Sequence, residues 1–282
     1  MDLKSFESLL HNEIQAYRFL AKACQKNGRY FCHRCQARKV YRIRRRKYRC
    51  KKCGYEFALF TGRWLGKVFI TAREWLWLIK LFELEVSARK ATKQLGLSYP
   101  TVLKAFDIIR KSIAADSPDK DLLQGEIEMD ESYFGGRRKG PRGRGAAGKV
   151  PVFGVLERNG IAKVEVIKNV TAESILSLAV KTVRRGSIVY TDKFQGYNSL
   201  MFCGYRHLRV DHAKRFSSGK VYINGLEGFW SFAKERIIKF HGVSKEKFPF
   251  YLKEMEFRYN NRKTSLFPLF VKSICQLILK NA

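Results

Sequence analysis

Acidic residues are scarce in this chain: 25 Asp and Glu stand against 56 Lys and Arg in 282 residues, leaving a net charge of +31. A fold needs no such excess, and self-repulsion opposes compaction, so the imbalance points to a polyanionic partner. Also missing is any apolar run of about 18 residues, the length that crosses a bilayer. No basic amphipathic helix stands apart from a core, which argues against a membrane surface. The opening stretch, MDLKSFESLLHNEIQAYRFL, carries no h-region or cleavage site of the secretory kind. Nor do the 7 cysteines make a disulfide framework: four are clustered, and Cys24, Cys203 and Cys275 are scattered among helix and strand patterns. The expectation is an intracellular, reducing location with nucleic acid, and no membrane, as partner. What remains is a chain with 45% hydrophobic residues, enough for a full-sized core and a smaller module or two.

Residues 1–28 read as one N-terminal helix, with Phe6, Leu9, Leu10, Ile14, Tyr17 and Leu20 on a stripe. Residues 29–62 read as a zinc ribbon. Cys32-His33-Arg34-Cys35 and Cys50-Lys51-Lys52-Cys53 form C-x2-C-x14-C-x2-C. Each pair makes a tight knuckle, and two knuckles complete a tetrahedral thiolate site for a structural Zn²⁺; a redox role normally uses one such pair. Between the pairs, ARKVYRIRRRKYR alternates basic with apolar or aromatic residues. That fits a hairpin with a cationic face, on which Arg44, Arg45 and Arg46 are candidate phosphate contacts, and nearby cations would help keep the thiolates ionised.

Residues 63–116 are helical in pattern. TAREWLWLIKLFEL is a buried helix, and SARKATKQLGLSYPTVLKAFDIIRKSI is two helices broken at Gly96, with Ser98 as cap and Pro100 in the first turn of the second. In so basic a chain this favours a helix-turn-helix whose second helix, carrying Lys104, enters a major groove; the alternative is an ordinary helical hairpin.

Ser117-Pro118-Asp119 marks a boundary, after which the period changes from helix to strand, and residues 117–282 read as an α/β domain. Strand 126–133 places Glu128, Asp130 and Ser132 on one face and Glu131 on the other. The loop GGRRKGPRGRGAAGK offers Arg137, Arg138, Arg142 and Arg144 to a phosphate backbone; it is not a P-loop, since GxxxxGK[ST] is absent. PVFGVLER and AKVEVIKNV form a hairpin at Asn159-Gly160. A helix capped by Thr171 leads to Ser187-Ile188-Val189-Tyr190-Thr191-Asp192, an apolar strand ending on an acid, and Tyr205–Val210 is a short fifth strand. NGLEGFWSFAK then opens an amphipathic helix on which Glu227 and Lys234 share a face, with Asn224 as its N-cap and Phe229 and Trp230 as anchors to the sheet. This order puts the first strand beside the fourth, and 34 residues separate Asp192 from Glu227.

The two knuckles, MDESYFGGRRKG, YTDKFQGY, HAKRF, NGLEGFWSFAKERIIKFHG and LKEMEFRYNNR together resemble the DDE transposases of bacterial insertion sequences. More narrowly, they resemble the zinc-ribbon group related to the eukaryotic Merlin elements, with its ISXO2-like transposase domain. The resemblance implies a multi-domain fold: a small zinc ribbon and helix-turn-helix, then an α/β ribonuclease-H-like catalytic domain with a mixed five-stranded sheet. It implies Asp130, Asp192 and Glu227 as ligands of two Mg²⁺ (or Mn²⁺) ions, Lys234 as the basic catalytic partner, and His212 as a DNA contact. It further implies binding of terminal inverted repeats, DNA cleavage and strand transfer, a homodimer or larger assembly on DNA, and a cytoplasmic, nucleoid-associated bacterial protein. One position departs from the pattern: relatives often carry histidine where this chain has Tyr222. Glu128 and Asp211 are further candidate acids, Glu128 as a supporting group. The rival readings are a zinc-ribbon DNA-binding regulator and a ribonuclease-H-like nuclease without strand transfer.

Overall fold

The computed structural model describes residues 1–44, 46–116, 122–135, 149–210 and 222–276. Arg45, Arg137, Arg138, Arg142, Arg144, Asp211 and His212 lie outside the described residues. The chain divides into two compact units, Met1–Ser117 with Arg262–Ala282, and Pro118–Asn261.

In the first unit the expected single N-terminal helix is two, α1 (Leu3–Leu9) and α2 (Glu13–Ala23). Asn12 causes the break: its backbone is extended, and its side chain accepts the Gln15 amide at 2.8 Å, capping a new helix. The ribbon is a three-stranded antiparallel sheet, β1 (Val40–Arg44), β2 (Lys47–Cys50) and β3 (Glu56–Ala58). Next comes α3 (Ala72–Glu83), opened by a full capping box between Thr71 and Glu74. Two helices follow, α4 (Ala88–Leu95), closed by Gly96 at φ 66°, and α5 (Tyr99–Asp116), at whose start Ser98 accepts the Thr101 amide.

The second unit is built on one mixed sheet. β4 (Glu126–Phe134) pairs antiparallel with β5 (Val150–Glu157), which pairs antiparallel with β6 (Ala162–Val166) across the Asn159-Gly160 turn, Asn159 taking φ 62°. After α6 (Ala172–Thr182), capped by Thr171, β7 (Ile188–Thr191) runs parallel beside β4. A 3₁₀ segment, Gln195–Cys203, leads to β8 (Arg206–Arg209), parallel to β7. The order β6-β5-β4-β7-β8 and these directions are those of a ribonuclease-H-like sheet. Two further helices complete the unit, α7 (Asn224–Ile238) and α8 (Phe248–Asn260).

Strand alternation gives the sheet two cores. Ile127, Met129, Phe153 and Val155 pack with Ile175 and Ala179 of α6 on one face; Phe134, Val152, Leu156 and Val164 pack with Leu226, Phe229, Trp230, Leu252 and Met255 of α7 and α8 on the other. α8 also seals the β6 edge. Asn260 exchanges two hydrogen bonds with the Ala162 backbone, each 2.8 Å, and the Val164 amide donates to Glu256 at 2.7 Å. An edge strand otherwise presents unpaired backbone groups. The stretch PFYLKEMEFRYN is a largely buried helix, with Glu254 and Arg258 paired at 2.8 Å.

The last helix, α9 (Leu266–Gln276), was expected with the α/β part but packs on α2, α3 and α5 in the first unit. Phe267 meets Phe6, and Phe270 meets Phe82, edge to face. Arg63, 1% exposed, donates to the carbonyls of Leu59 (2.7 Å), Cys24 (3.0 Å) and Cys275. Cys24 ends α2 and Cys275 lies in the last turn of α9, so the guanidinium serves helix ends that carry partial negative charge.

Candidate active site

β4 carries the site. Its alternation sends Glu131 to the α6 face, where the carboxylate accepts the Tyr197 hydroxyl at 2.7 Å, and sends Glu128 and Asp130 toward α7. The parallel register pairs Glu128 with Tyr190, so two residues further along each strand stand Asp130 and Asp192. Asp192 is past the last residue of β7, half-buried, its Oδ1 accepting the Phe194 amide at 2.9 Å. Thr191 braces that corner: its hydroxyl donates to the Asp192 carbonyl at 2.7 Å and lies 2.8 Å from His207 Nε2.

Burial pushes the Asp130 carboxyl up to about 7, reinforced by the Glu131 and Asp192 carboxylates and opposed by a hydrogen bond from Trp230. That bond, Trp230 Nε1 to Asp130 Oδ2 at 3.0 Å, gives the indole a polar role beside its expected packing role. It exists because the register partner of Asp130 is Gly154. A Cβ there would lie 2.6 Å and 2.8 Å from ring carbons of Trp230, so glycine lets the indole lie on β5 and reach across.

Lys234 is the nearby cation. Its ammonium lies 5.8 Å from the centre of the Phe134 ring; burial lowers its pKa, the Asp130 carboxylate pulls it back up, and Lys149 lowers it. Lys149, the last cation of the Gly-rich basic loop, immediately precedes β5. Glu227 sits exposed in the first turn of α7. Among the described residues the three acids do not gather as tightly as the four cysteines do. The oxygen-only donors and the poorly solvated Asp130 beside a second acid nonetheless fit a hard divalent cation, which would relieve their mutual repulsion.

Asn224 does not cap α7. The helix begins at Asn224, Ile223 stands at the cap position, and no side chain from either accepts an amide. A side-chain acceptor comes from β4: Glu128 Oε2 takes the Leu226 amide at 2.9 Å, which also reaches the Ile223 carbonyl at 3.2 Å.

In the ribbon, Cys32 and Cys53 sulfurs are 3.6 Å apart, as are Cys35 and Cys50, and all four ligand atoms lie within 4.8 Å of one another. A tetrahedral Zn–S₄ centre spaces its sulfurs by roughly 3.8 Å, so the donor set fits zinc. Gln36 (φ 60°) and Gly54 (φ 70°) turn the two knuckles, their amides returning to the Cys32 and Cys50 carbonyls. Burial raises the Cys50 thiol, yet the Cys53 and Lys52 amides bring it down to about 7, whereas burial pushes the Cys32 thiol up to about 12. Arg44 is exposed, while the Arg46 guanidinium stacks on Tyr17 at 4.3 Å. Lys104 is exposed on α5.

Residues 122–260 match the ISXO2-like transposase domain and residues 11–56 the transposase zinc-ribbon domain. A protein of the transposable element ISH50 from Halobacterium salinarum is 30% identical over 285 residues, covering 92% of this chain and 93% of its own length. The chain belongs to the ISXO2-like transposase family. An uncharacterized transposase-like protein of Haemophilus influenzae is 42% identical over 96 residues, 34% of this transposase and 78% of that protein. Among solved structures, the Mos1 strand transfer complex matches at 13% identity over 72% of this chain and 74% of its own, with a TM-score of 0.33. A simian T-cell lymphotropic virus intasome in complex with PP2A regulatory subunit B56 gamma matches at 14% over 63% of this chain and 64% of its own, with a TM-score of 0.31. Both scores are low and add no argument to the family assignment.

Proposed function

We propose that this transposase binds the terminal inverted repeats of its own element and performs divalent-metal-dependent DNA strand cleavage and strand transfer. The observation that carries the reading is the poorly solvated Asp130 carboxyl on the central strand, with Asp192 at the end of the parallel neighbour and Lys234 in electrostatic reach. Asp130, Asp192 and Glu227 are the residues to hold Mg²⁺ or Mn²⁺. Such ions, when bound in pairs, supply an activated attacking oxygen and a neutralised leaving oxygen. Trp230 fixes the Asp130 carboxylate, the Phe194 amide fixes that of Asp192, and Lys234 offers a point charge to a phosphate.

Recognition of the ends is assigned to the first unit. The ribbon, held by a structural Zn²⁺ on Cys32, Cys35, Cys50 and Cys53, offers Arg44 and Arg46 to the phosphate backbone, and α4–α5 act as a helix-turn-helix with Lys104 on the exposed side. Arg45, Arg137, Arg138, Arg142, Arg144 and His212 are proposed as further DNA contacts on chemistry alone. A homodimer or larger assembly holds both ends. The test is nicking and joining of duplexes carrying the sequences that flank the gene, with Mg²⁺, by the wild type and by Asp192→Asn. Loss of both reactions in the variant, with end binding retained, supports the reading. Equal cleavage by the two proteins refutes it; binding without cleavage by the wild type favours a regulator, and cleavage without joining favours a plain nuclease.

A further inference from the structure

The Glu128 carboxylate is 1% exposed and shares the α7-facing side of β4 with Asp130, two residues away. One oxygen accepts the Leu226 amide at 2.9 Å; the other accepts Arg158 Nε at 3.1 Å. Arg158, just past β5, donates through its other arm to the Tyr222 carbonyl at 2.6 Å. Its guanidinium carbon lies between two aromatic rings, 3.8 Å from the centre of Tyr190 and 3.9 Å from that of Tyr222. The Arg158 amide also donates to the Glu126 carbonyl at 2.9 Å, and the Tyr190 hydroxyl to the Glu126 carboxylate at 2.8 Å. Glu126 and Glu128 lie on β4, Tyr190 on β7 and Arg158 directly after β5, while Tyr222 stands two residues before α7. Gly225 makes the approach possible, since a Cβ there would lie 2.5 Å from Leu156 Cδ2 and 3.0 Å from Glu128 Oε2.

A helix needs acceptors for its first amides, and a Ser, Thr, Asp or Asn at its own N-cap is the ordinary source. Here that source is not used. The acceptor belongs instead to the strand that carries Asp130, and the helix it caps carries Glu227 three residues into its first turn. The cap therefore joins the two acids mechanically. The acid also gains from the helix dipole, and the guanidinium, stacked on two rings, holds the carboxylate oxygen that does not face the helix.

We propose that Glu128 and Arg158 are positioning residues for strand cleavage, clamping the first turn of α7 to β4 so that Glu227 keeps its place relative to Asp130. The proposal rests on the transposase reading above. Supporting residues of this kind typically set metal affinity by roughly 10–100-fold without touching the metal.

The test uses the full chain, as wild type, Glu128→Gln, Glu128→Ala and Arg158→Lys, on duplexes carrying the flanking ends. Three quantities are read: end binding, the Mg²⁺ concentration that gives half-maximal nicking, and amide hydrogen exchange across Gly225–Glu227. The clamp predicts end binding within about twofold of wild type, a Mg²⁺ requirement raised by roughly tenfold, and exchange at Leu226 faster by roughly tenfold or more. It also predicts that Glu128→Gln, which keeps an acceptor, loses less than Glu128→Ala. Arg158→Lys retains the buried charge and so guards against simple misfolding. Folded variants with wild-type exchange and wild-type Mg²⁺ dependence overturn the proposal while leaving the transposase reading intact. A wild type that cleaves no DNA overturns both.

Discussion

Replacing Gly154 by alanine probes the contact that aims Asp130. An added Cβ would stand 2.6 Å and 2.8 Å from two Trp230 ring carbons and 3.1 Å from Leu226 Cδ1, distances at which the indole must move. Overpacking of this kind costs about 1–3 kcal/mol. Moving the ring also stretches the 3.0 Å bond to Asp130, and a hydrogen bond to a charged group contributes about 1.5–3 kcal/mol. Single substitutions seldom exceed 4–5 kcal/mol, so the expected loss is about 3 kcal/mol. In a Trp230→Leu background the large ring is gone and only the Leu226 approach remains, which a small rotation relieves. There the same Gly154→Ala change should cost about 0.5 kcal/mol, giving a coupling of about 2.5 kcal/mol. The measurement is native-state hydrogen exchange at Val152, Phe153 and Val155 in the four proteins, which reports on the second unit without assuming that both units melt together. Equal costs in the two backgrounds would show that the indole is not what the glycine accommodates.

Other consequences are as direct. Chelation, or Cys50→Ser, should remove one zinc per chain and unravel Val40–Ala58 while leaving exchange in β4 and β5 unchanged; metal analysis and exchange check both halves. Asn260→Leu leaves the Ala162 N–H and C=O of the sheet edge without their partner, so a loss of about 2–4 kcal/mol and greater self-association are expected, read by denaturant unfolding and light scattering. Arg63→Met strips three buried carbonyls of their donor, and a loss of at least about 3 kcal/mol in the first unit is expected, with Arg63→Lys recovering part of it. A first unit unchanged in stability by Arg63→Met would contradict the helix-end account.

Much of this architecture follows from sequence-local physics. Period-two alternation in residues 126–133 separates Glu131 from Asp130, Asn159-Gly160 turns the β5–β6 hairpin, and C-x2-C spacing makes two knuckles whose sulfurs meet. The alternation and the turn are decided within a few residues of chain, whereas the two knuckles meet across the 14 residues that separate them. Asn12 shows the limit of periodicity: a stripe of apolar residues looks like one helix until a side chain captures an amide and starts another. The rest depended on partners far away in sequence. That Trp230 donates to Asp130 needs Gly154 on a third element, and that α7 is capped by Glu128 needs Arg158 and two tyrosines from separate segments. Glu256 and Asn260 likewise acquire their purpose only against the open edge of β6. A local pattern states which chemistry a side chain can perform; which buried donor or acceptor it must satisfy is decided by the packing, because an unmet polar group in the interior costs more than any local preference returns.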